Sequence, residues 1–316
     1  MNFFTRTLLG LFLLIGGLSP LSSQEISGQI LELWNQKKYK QAIKQLDKIE
    51  KSGNANYLTY YYRGMCYEFT NEVQKAYDDY CLSINAKGDF APAYFQRGTL
   101  ILVPKLASES INDFNMAIKH AKVDSIRLQA YANRASAKMM LGNVDAAIKD
   151  CLEVTTKDST SKFGAAALVT LANCYDSQKK YDASERILKR LYLKDSSDMA
   201  VISNLGFTLS KVDRHQEAIY YFDRALKLFP NAAYPLSNKS YSLMKIGKLQ
   251  EALSCIKQSI QSDPDNSYAY KNLGEILLAL DLKSEACEAF RTALNKGFTD
   301  MYGNEVNELI AKHCKK

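Results

Sequence analysis

The chain has 316 residues, 47% of them hydrophobic, with 41 basic and 34 acidic side chains and a formal charge of +7. That length supports a large core, and only 6 Pro and 15 Gly leave little room for linkers or low-complexity tracts. The charge is modest and no run of five like charges occurs, which argues against a nucleic-acid surface.

The first 23 residues differ from the rest. Arg6 gives a short basic start, Leu8–Leu18 (LLGLFLLIGGL) is an apolar stretch of signal-peptide length, and Ser19-Pro20-Leu21-Ser22-Ser23 is a small-residue exit. This is the layout of a secretory signal cut near Ser22 or Ser23. The stretch is short for a membrane span. Leu21 is a mediocre residue for a cut after Ser23, so an uncleaved N-terminal anchor stands as the alternative. No Cys follows the stretch, which argues against a lipoprotein anchor. The mature protein is expected to be soluble and exported, in the periplasm or outside the cell. It would touch a membrane only through this segment.

From residue 23 onward a 34-residue period governs the chain. Gly206, Ser240 and Gly274 are in phase. So are Ala218, Ala252 and Ala286, and so are Phe222, Ile256 and Phe290. A fixed period of this size with small residues at fixed places marks stacked helical hairpins. The register gives eight units: 23–56, 57–90, 91–127, 128–164, 165–198, 199–232, 233–266 and 267–300. The third and fourth carry extra residues around Lys122–Arg127 and Thr156–Gly164, placed in the turns between units. In the sixth, Ile202, Leu205 and Leu209 repeat at helical spacing, then Ile219, Phe222 and Leu226. Gly206 and Ala218 are small because two antiparallel helices cross there. Pro230 and Pro264 close their units.

These units resemble tetratricopeptide repeats. Leu205-Gly206, Ala218, Phe222, Ala225 and Pro230 carry the likeness, as do Tyr270, Leu273-Gly274, Ala286, Phe290 and Ala293. Earlier units match as Tyr60, Gly64, Tyr67, Ala76 and Tyr80, then as Tyr94, Gly98, Phe114 and Ala117. Ser110 and Ser184 depart where Ala is usual, and Ile30 replaces Gly in an atypical first unit. The resemblance implies an all-α, right-handed superhelical solenoid of about eight hairpins over 24–300. Residues 301–316 then read as a capping helix whose apolar face is Tyr302, Val306, Leu309 and Ile310.

Seven Cys, an odd number, leave at least one thiol unpaired within a monomer. Most sit where a repeat takes a small apolar residue, so buried free thiols are expected, with Cys314 the candidate for an exposed one. His120, His215 and His313 lie in different units, and no metal site or cofactor is expected. There is no phosphate-binding glycine loop and no nucleophile elbow. Almost every residue belongs to a repeat, so the chain reads as a non-enzymatic binding protein. Asn238-Lys239-Ser240 is a formal glycosylation sequon inside a packed helix and is discounted.

In the family, the first helices of the hairpins line a concave groove. Carried over, this gives Leu58, Tyr61, Tyr62, Met65, Phe69, Phe95, Leu102, Met139 and Met140 as an aromatic half. Asn133, Thr170, Asn204, Asn238 and Asn272 form a polar row, joined by Phe207, Tyr234, Tyr241 and Tyr268. An extended protein or peptide segment would lay apolar side chains on the first set. Its backbone would pair with the amides, which both donate and accept. The plainer reading is that these Asn are ordinary repeat residues and the aromatics cover neighbouring helices. The carboxylate clamp of chaperone-tail binders is absent, since Lys271 stands alone with Glu275 where Asn is required. The expected function is a protein-interaction scaffold of the cell envelope. A glycan- or ligand-binding module for an envelope enzyme is the alternative, because sugars also stack on aromatics beside amides.

Overall fold

In the computed structural model residues 28–314 are described, and the expected signal segment 1–23 lies outside them. All regular structure among the described residues is helical. Where the sequence reads as a single array, contacts gather the chain into two compact units, one running to Cys174 and one from Tyr175.

The first unit contains four hairpins. They are α1 (Gly28–Asn35) with α2 (Tyr39–Lys51), α3 (Tyr57–Phe69) with α4 (Val73–Ala86), α5 (Ala91–Leu100) with α6 (Ala107–His120), and α7 (Asp124–Met140) with α8 (Val144–Thr155). Each of these helices packs on its sequence neighbours. Most of α9 (Lys162–Ser177) follows, with the boundary falling near its end. The extra residues before 128 form an added helical turn at the start of α7 rather than a loop.

The second unit holds α10 (Tyr181–Lys194), α11 (Met199–Lys211) with α12 (His215–Leu228), α13 (Ala233–Lys245) with α14 (Leu249–Ser262), and α15 (Ser267–Ala279) with α16 (Lys283–Asn295). The short α17 (Phe298–Tyr302) and α18 (Glu305–His313) close it. First helices also touch first helices here, α11 on α13 and α13 on α15.

One packing rule sets the hairpins. A methyl group at Gly274 would lie 2.3 Å from the Phe290 ring, and at Gly206 2.7 Å from Phe222. The same holds at Gly64 against Tyr80, at 2.9 Å, and at Gly98 against Phe114, at 3.0 Å. All four rings are fully buried. Where the glycine is replaced, the residue sixteen further on is smaller. Ser240 pairs in register with Ile256 and Ala135 with Cys151, and all four are buried. Beyond the atypical first hairpin, where Ile30 stands sixteen before Leu46, a larger residue on the first helix thus goes with a smaller one on the second, as close packing demands.

The turn inside a hairpin is equally regular. Lys37, Asn71, Gly142, Lys179, Asp213, Gly247 and Asp281 occupy one register position and all have positive φ, the left-handed cap that ends a helix. The third hairpin lacks it and turns through the 3₁₀ segment Pro104–Leu106. A few first helices start on side-chain caps. Asn56 and Thr59 form a capping box on α3, and Asp198 accepts from Ala200 and Val201 on α11.

The first unit has a second device that sequence reading missed. Arg63, Arg97 and Arg134 each grip an Asp sixteen residues on, namely Asp79, Asp113 and Asp150, through paired Nε and Nη2 bonds of 2.7–2.9 Å. Each Arg also reaches the preceding hairpin: Arg63 to Asp47 and Glu50, Arg97 to the Cys81 sulfur, Arg134 to Asn115. The fork-on-carboxylate geometry fixes both helices of a hairpin and its neighbour at once.

Cys314 is not a free thiol. It bonds Cys287, tying α18 to α16, while Cys66, Cys151 and Cys174 are buried and unpaired. The cap's apolar face seats Val306 fully buried in the last core cluster.

Gly274→Ala is expected to destabilise the second unit by roughly 2–4 kcal/mol, because the Phe290 ring must move. The double change Gly274→Ser/Phe290→Ile, copying Ser240 and Ile256, is expected to recover at least half of that loss. Urea unfolding of the three proteins checks this, and additive losses in the double variant would contradict the volume rule.

Candidate partner-binding face

Most of the aromatic groove expected in the first unit is core. Tyr61 is 1% exposed, boxed in by Tyr62, Phe90 and Tyr80 with ring centroids 5.2–6.1 Å away. Tyr62, Met65, Phe95, Leu58 and Leu102 are also buried. Phe69 stacks on Tyr39 at 4.3 Å and meets Trp34 edge-on at 5.1 Å. Met139 is half-buried, with only Met140 beside it exposed. Successive hairpins approach closely enough to cover these rings, so no continuous aromatic strip is left open in the first unit.

The amide row divides in two. Asn133 donates to Thr99 Oγ1 at 3.0 Å, and Asn272, itself buried, donates to Ser237 Oγ at 3.1 Å. Thr170 and Ser136 share a hydrogen bond at 3.4 Å. These residues stitch one first helix to the next. Asn204 and Asn238 are half-exposed and make no side-chain hydrogen bond among the described residues.

Around those two amides the second unit repeats a pattern. Lys211 lies over the Phe207 ring at 4.9 Å, and Lys245 over Tyr241 at 5.2 Å. Each is a ring with an ammonium four residues on, one turn of helix away, at a stage of cation–π contact. Two rows thus run across α11 and α13, Asn204 to Asn238 and Phe207/Lys211 to Tyr241/Lys245. Ser203 Oγ beside them is buried without a partner. Burial of the Lys211 stem, followed by the neighbouring Lys271 charge, holds its ammonium below the ordinary value.

On α15 the pattern closes off. Lys271 is buried between the Tyr268 and Tyr241 rings, at 5.4 and 5.9 Å, and pairs with Glu275 at 3.0 Å and Glu305 at 2.8 Å. Burial penalises that charge, but Glu275, Tyr268 and Glu305 outweigh the penalty and hold it above its ordinary value. Tyr302 covers Tyr268 from the cap at 5.2 Å. The arrangement offers donors, acceptors, rings and ammonium groups on one face. Among the described residues no group of three His, Cys, Asp or Glu is placed to hold a metal, and no helix is long and apolar enough to cross a membrane.

Residues 238–300 match the tetratricopeptide-repeat family model. Over that segment the chain carries tetratricopeptide repeats. No curated protein matches it. Among solved structures it is similar to a tetratricopeptide-repeat protein from Parabacteroides merdae, at 14% identity and TM-score 0.65, covering 82% of this chain and 99% of that one. It is similar also to the APC/C hetero-tetramer Cut9–Hcn1, at 14% and 0.65, covering 91% of this chain and 55% of that one. Yeast Tom70 follows at 17% and 0.57, covering 87% and 58%. These likenesses establish an all-α helical-repeat solenoid.

Of two departures from the tetratricopeptide pattern, one has a local cause. Ser184 is fully buried because its hydroxyl meets Thr208 Oγ1 at 3.1 Å, and Thr208 in turn donates to Asp176 at 2.8 Å. Ser110 is fully buried with no partner for its hydroxyl. The lysines over Phe207 and Tyr241 were legible only as a recurrence at 34 residues, which single-unit reading passes over.

The buried first-unit rings create a titrating group. Glu68 accepts a short hydrogen bond from the Tyr80 hydroxyl, and the Tyr61 hydroxyl nearby has no partner. Burial pushes the Glu68 carboxyl up to about 7 despite the Tyr80 bond. The native state therefore holds this proton more tightly than the unfolded chain does. The resulting stability is fully present below the ordinary value of 4.5 and is lost as pH rises through about 7. Glu68→Gln is expected to exceed wild type in stability by roughly 1–3 kcal/mol at pH 8.5 and to lose that advantage near pH 4.5. Urea unfolding followed by the fluorescence of Trp34, the single tryptophan, checks this, and a pH-independent difference would contradict it.

Proposed function

We propose that this tetratricopeptide-repeat protein is a non-enzymatic scaffold of the cell envelope. It holds an extended segment of a protein partner against the first helices of its second unit. The observation that carries the reading is the pair of half-exposed amides without side-chain hydrogen bonds, Asn204 and Asn238, flanked by Phe207/Lys211 and Tyr241/Lys245. An Asn amide pairs with both the N–H and the C=O of a passing backbone, whatever its sequence. The adjacent ring and ammonium favour a carbonyl-rich or acidic segment with an apolar side chain or two. The Cut9–Hcn1 neighbour is by its name a hetero-tetramer, so a fold of this kind does hold a second polypeptide. The export reading rests on the arrangement Arg6, Leu8–Leu18 and Ser19–Ser23.

Selection of displayed dodecapeptides on the full chain tests this. Selected peptides are expected to bind the Asn204→Ala/Asn238→Ala variant at least tenfold more weakly, two lost backbone contacts at about 1 kcal/mol each or slightly less. Binding to Phe95→Leu, a core change, is expected to be preserved. Peptides that bind the amide variant as well as wild type would place the site elsewhere.

A further inference from the structure

The second helix of the first hairpin carries a charge pattern that the partner-binding face does not use. Helix α2 runs YKQAIKQLDKIEK. Ala42, Ile43 and Leu46 are buried on one side. Lys40, Lys44, Lys48 and Lys51 are all exposed. At about 100° per residue, those four fall within an arc of about 80°, opposite the buried residues. Their Cα atoms extend over about 16 Å along the helix.

None of the four makes an ion pair among the described residues, although two acidic residues share their helix. Asp47, which borders the stripe, and Glu50 both pair with Arg63 on α3, Asp47 at 2.9 Å. Glu72 of the next hairpin, whose carboxylate feels Lys40, is already paired with Lys75 at 2.6 Å. Thus the acidic groups nearest the stripe are paired with Arg63 or Lys75, and its four lysines stay without an ion pair among the described residues.

We propose that this lysine stripe is a docking surface for an anionic phospholipid headgroup layer. The charge complementarity selects an anionic occupant. The residue type narrows it: all four are lysines, point charges on flexible stems, with no arginine fork among them. Such a set suits a diffuse, laterally mobile negative surface better than one acidic peptide of fixed shape, which arginine recognises in bidentate fashion. Basic side chains near an anionic membrane each strengthen attachment about fivefold, within a Debye length of the surface. The stripe would lay the first hairpin along the membrane while the second unit engages its partner.

The test is partitioning of the full chain onto vesicles of phosphatidylcholine alone and of phosphatidylcholine with 30 mol % phosphatidylglycerol, at 0.1 M NaCl. The apolar N-terminal segment contributes to both, so the readout is the ratio of the two partition coefficients. The ratio is expected to be about 100 or more, falling towards one at 0.5 M NaCl. The pairs Lys40→Gln/Lys51→Gln and Lys44→Gln/Lys48→Gln are each expected to lower it at least tenfold. Changing all four to Arg is expected to preserve it, with Trp34 fluorescence unchanged throughout as the check on folding. A ratio near one in wild type, or one unaffected by either Gln pair, would overturn the proposal. So would lysine-dependent binding of polyglutamate without preference for the anionic vesicles, which would make the occupant an acidic polypeptide.

Discussion

The structure depends on one steric pairing, repeated along the chain. Within a hairpin, a residue of the first helix meets the side chain sixteen positions later at the helix crossing. Gly206 admits Phe222 and Gly274 admits Phe290, while Ser240 settles for Ile256 and Ala135 for Cys151. A larger residue on the first helix meets a smaller side chain because an interior at crystalline density has no slack to absorb a methyl group. This pairing fixes how closely the two helices approach. It thereby fixes which side chains are covered by the next hairpin and which are left on the first-helix face.

The two units resolve the remaining polar residues differently. In the first, arginines stand where the repeat pattern has leucine, and each is consumed by an aspartate across the hairpin and a group on the hairpin before. Buried pairs of this kind contribute little net stability but are costly to break, so they act as registers between hairpins. In the second unit the corresponding places carry Leu205, Lys239 and Leu273, and only Lys239 reaches an acid on the hairpin before, Asp223 at 2.6 Å. Polar chemistry moves instead to the first-helix face, at Asn204, Lys211, Asn238 and Lys245. There the charges are spread over rings and the amides are left without side-chain partners. A unit that closes its polar groups internally suits a structural role, and one that leaves them open suits recognition.

The solenoid class, the hairpin register and the reason for Gly206 were legible in the sequence, because period and small-residue placement are local signals. Burial of Tyr61 and Phe95 was not. Whether a first-helix ring faces an open groove or the flank of the next hairpin depends on the separation of helices far apart in sequence. The Asn row was visible as a row, but its members differ through partners that spacing does not show: Thr99 for Asn133, Ser237 for Asn272. The Cys287–Cys314 bond needed the fold of the C-terminal segment, since no short Cys spacing announces it.

The central claim is that the partner lies on the first-helix face of the second unit. The most direct measurement is photo-crosslinking in the producing cell, with a benzophenone amino acid placed singly at Phe207, Tyr241, Phe95 or Tyr220. Phe207 and Tyr241 are half-exposed on that face, Phe95 is buried in the first unit, and Tyr220 is exposed on a second helix. The account predicts one discrete adduct shared by positions 207 and 241 and missing from 95 and 220. An adduct at 220 with none at 207 or 241 would contradict it.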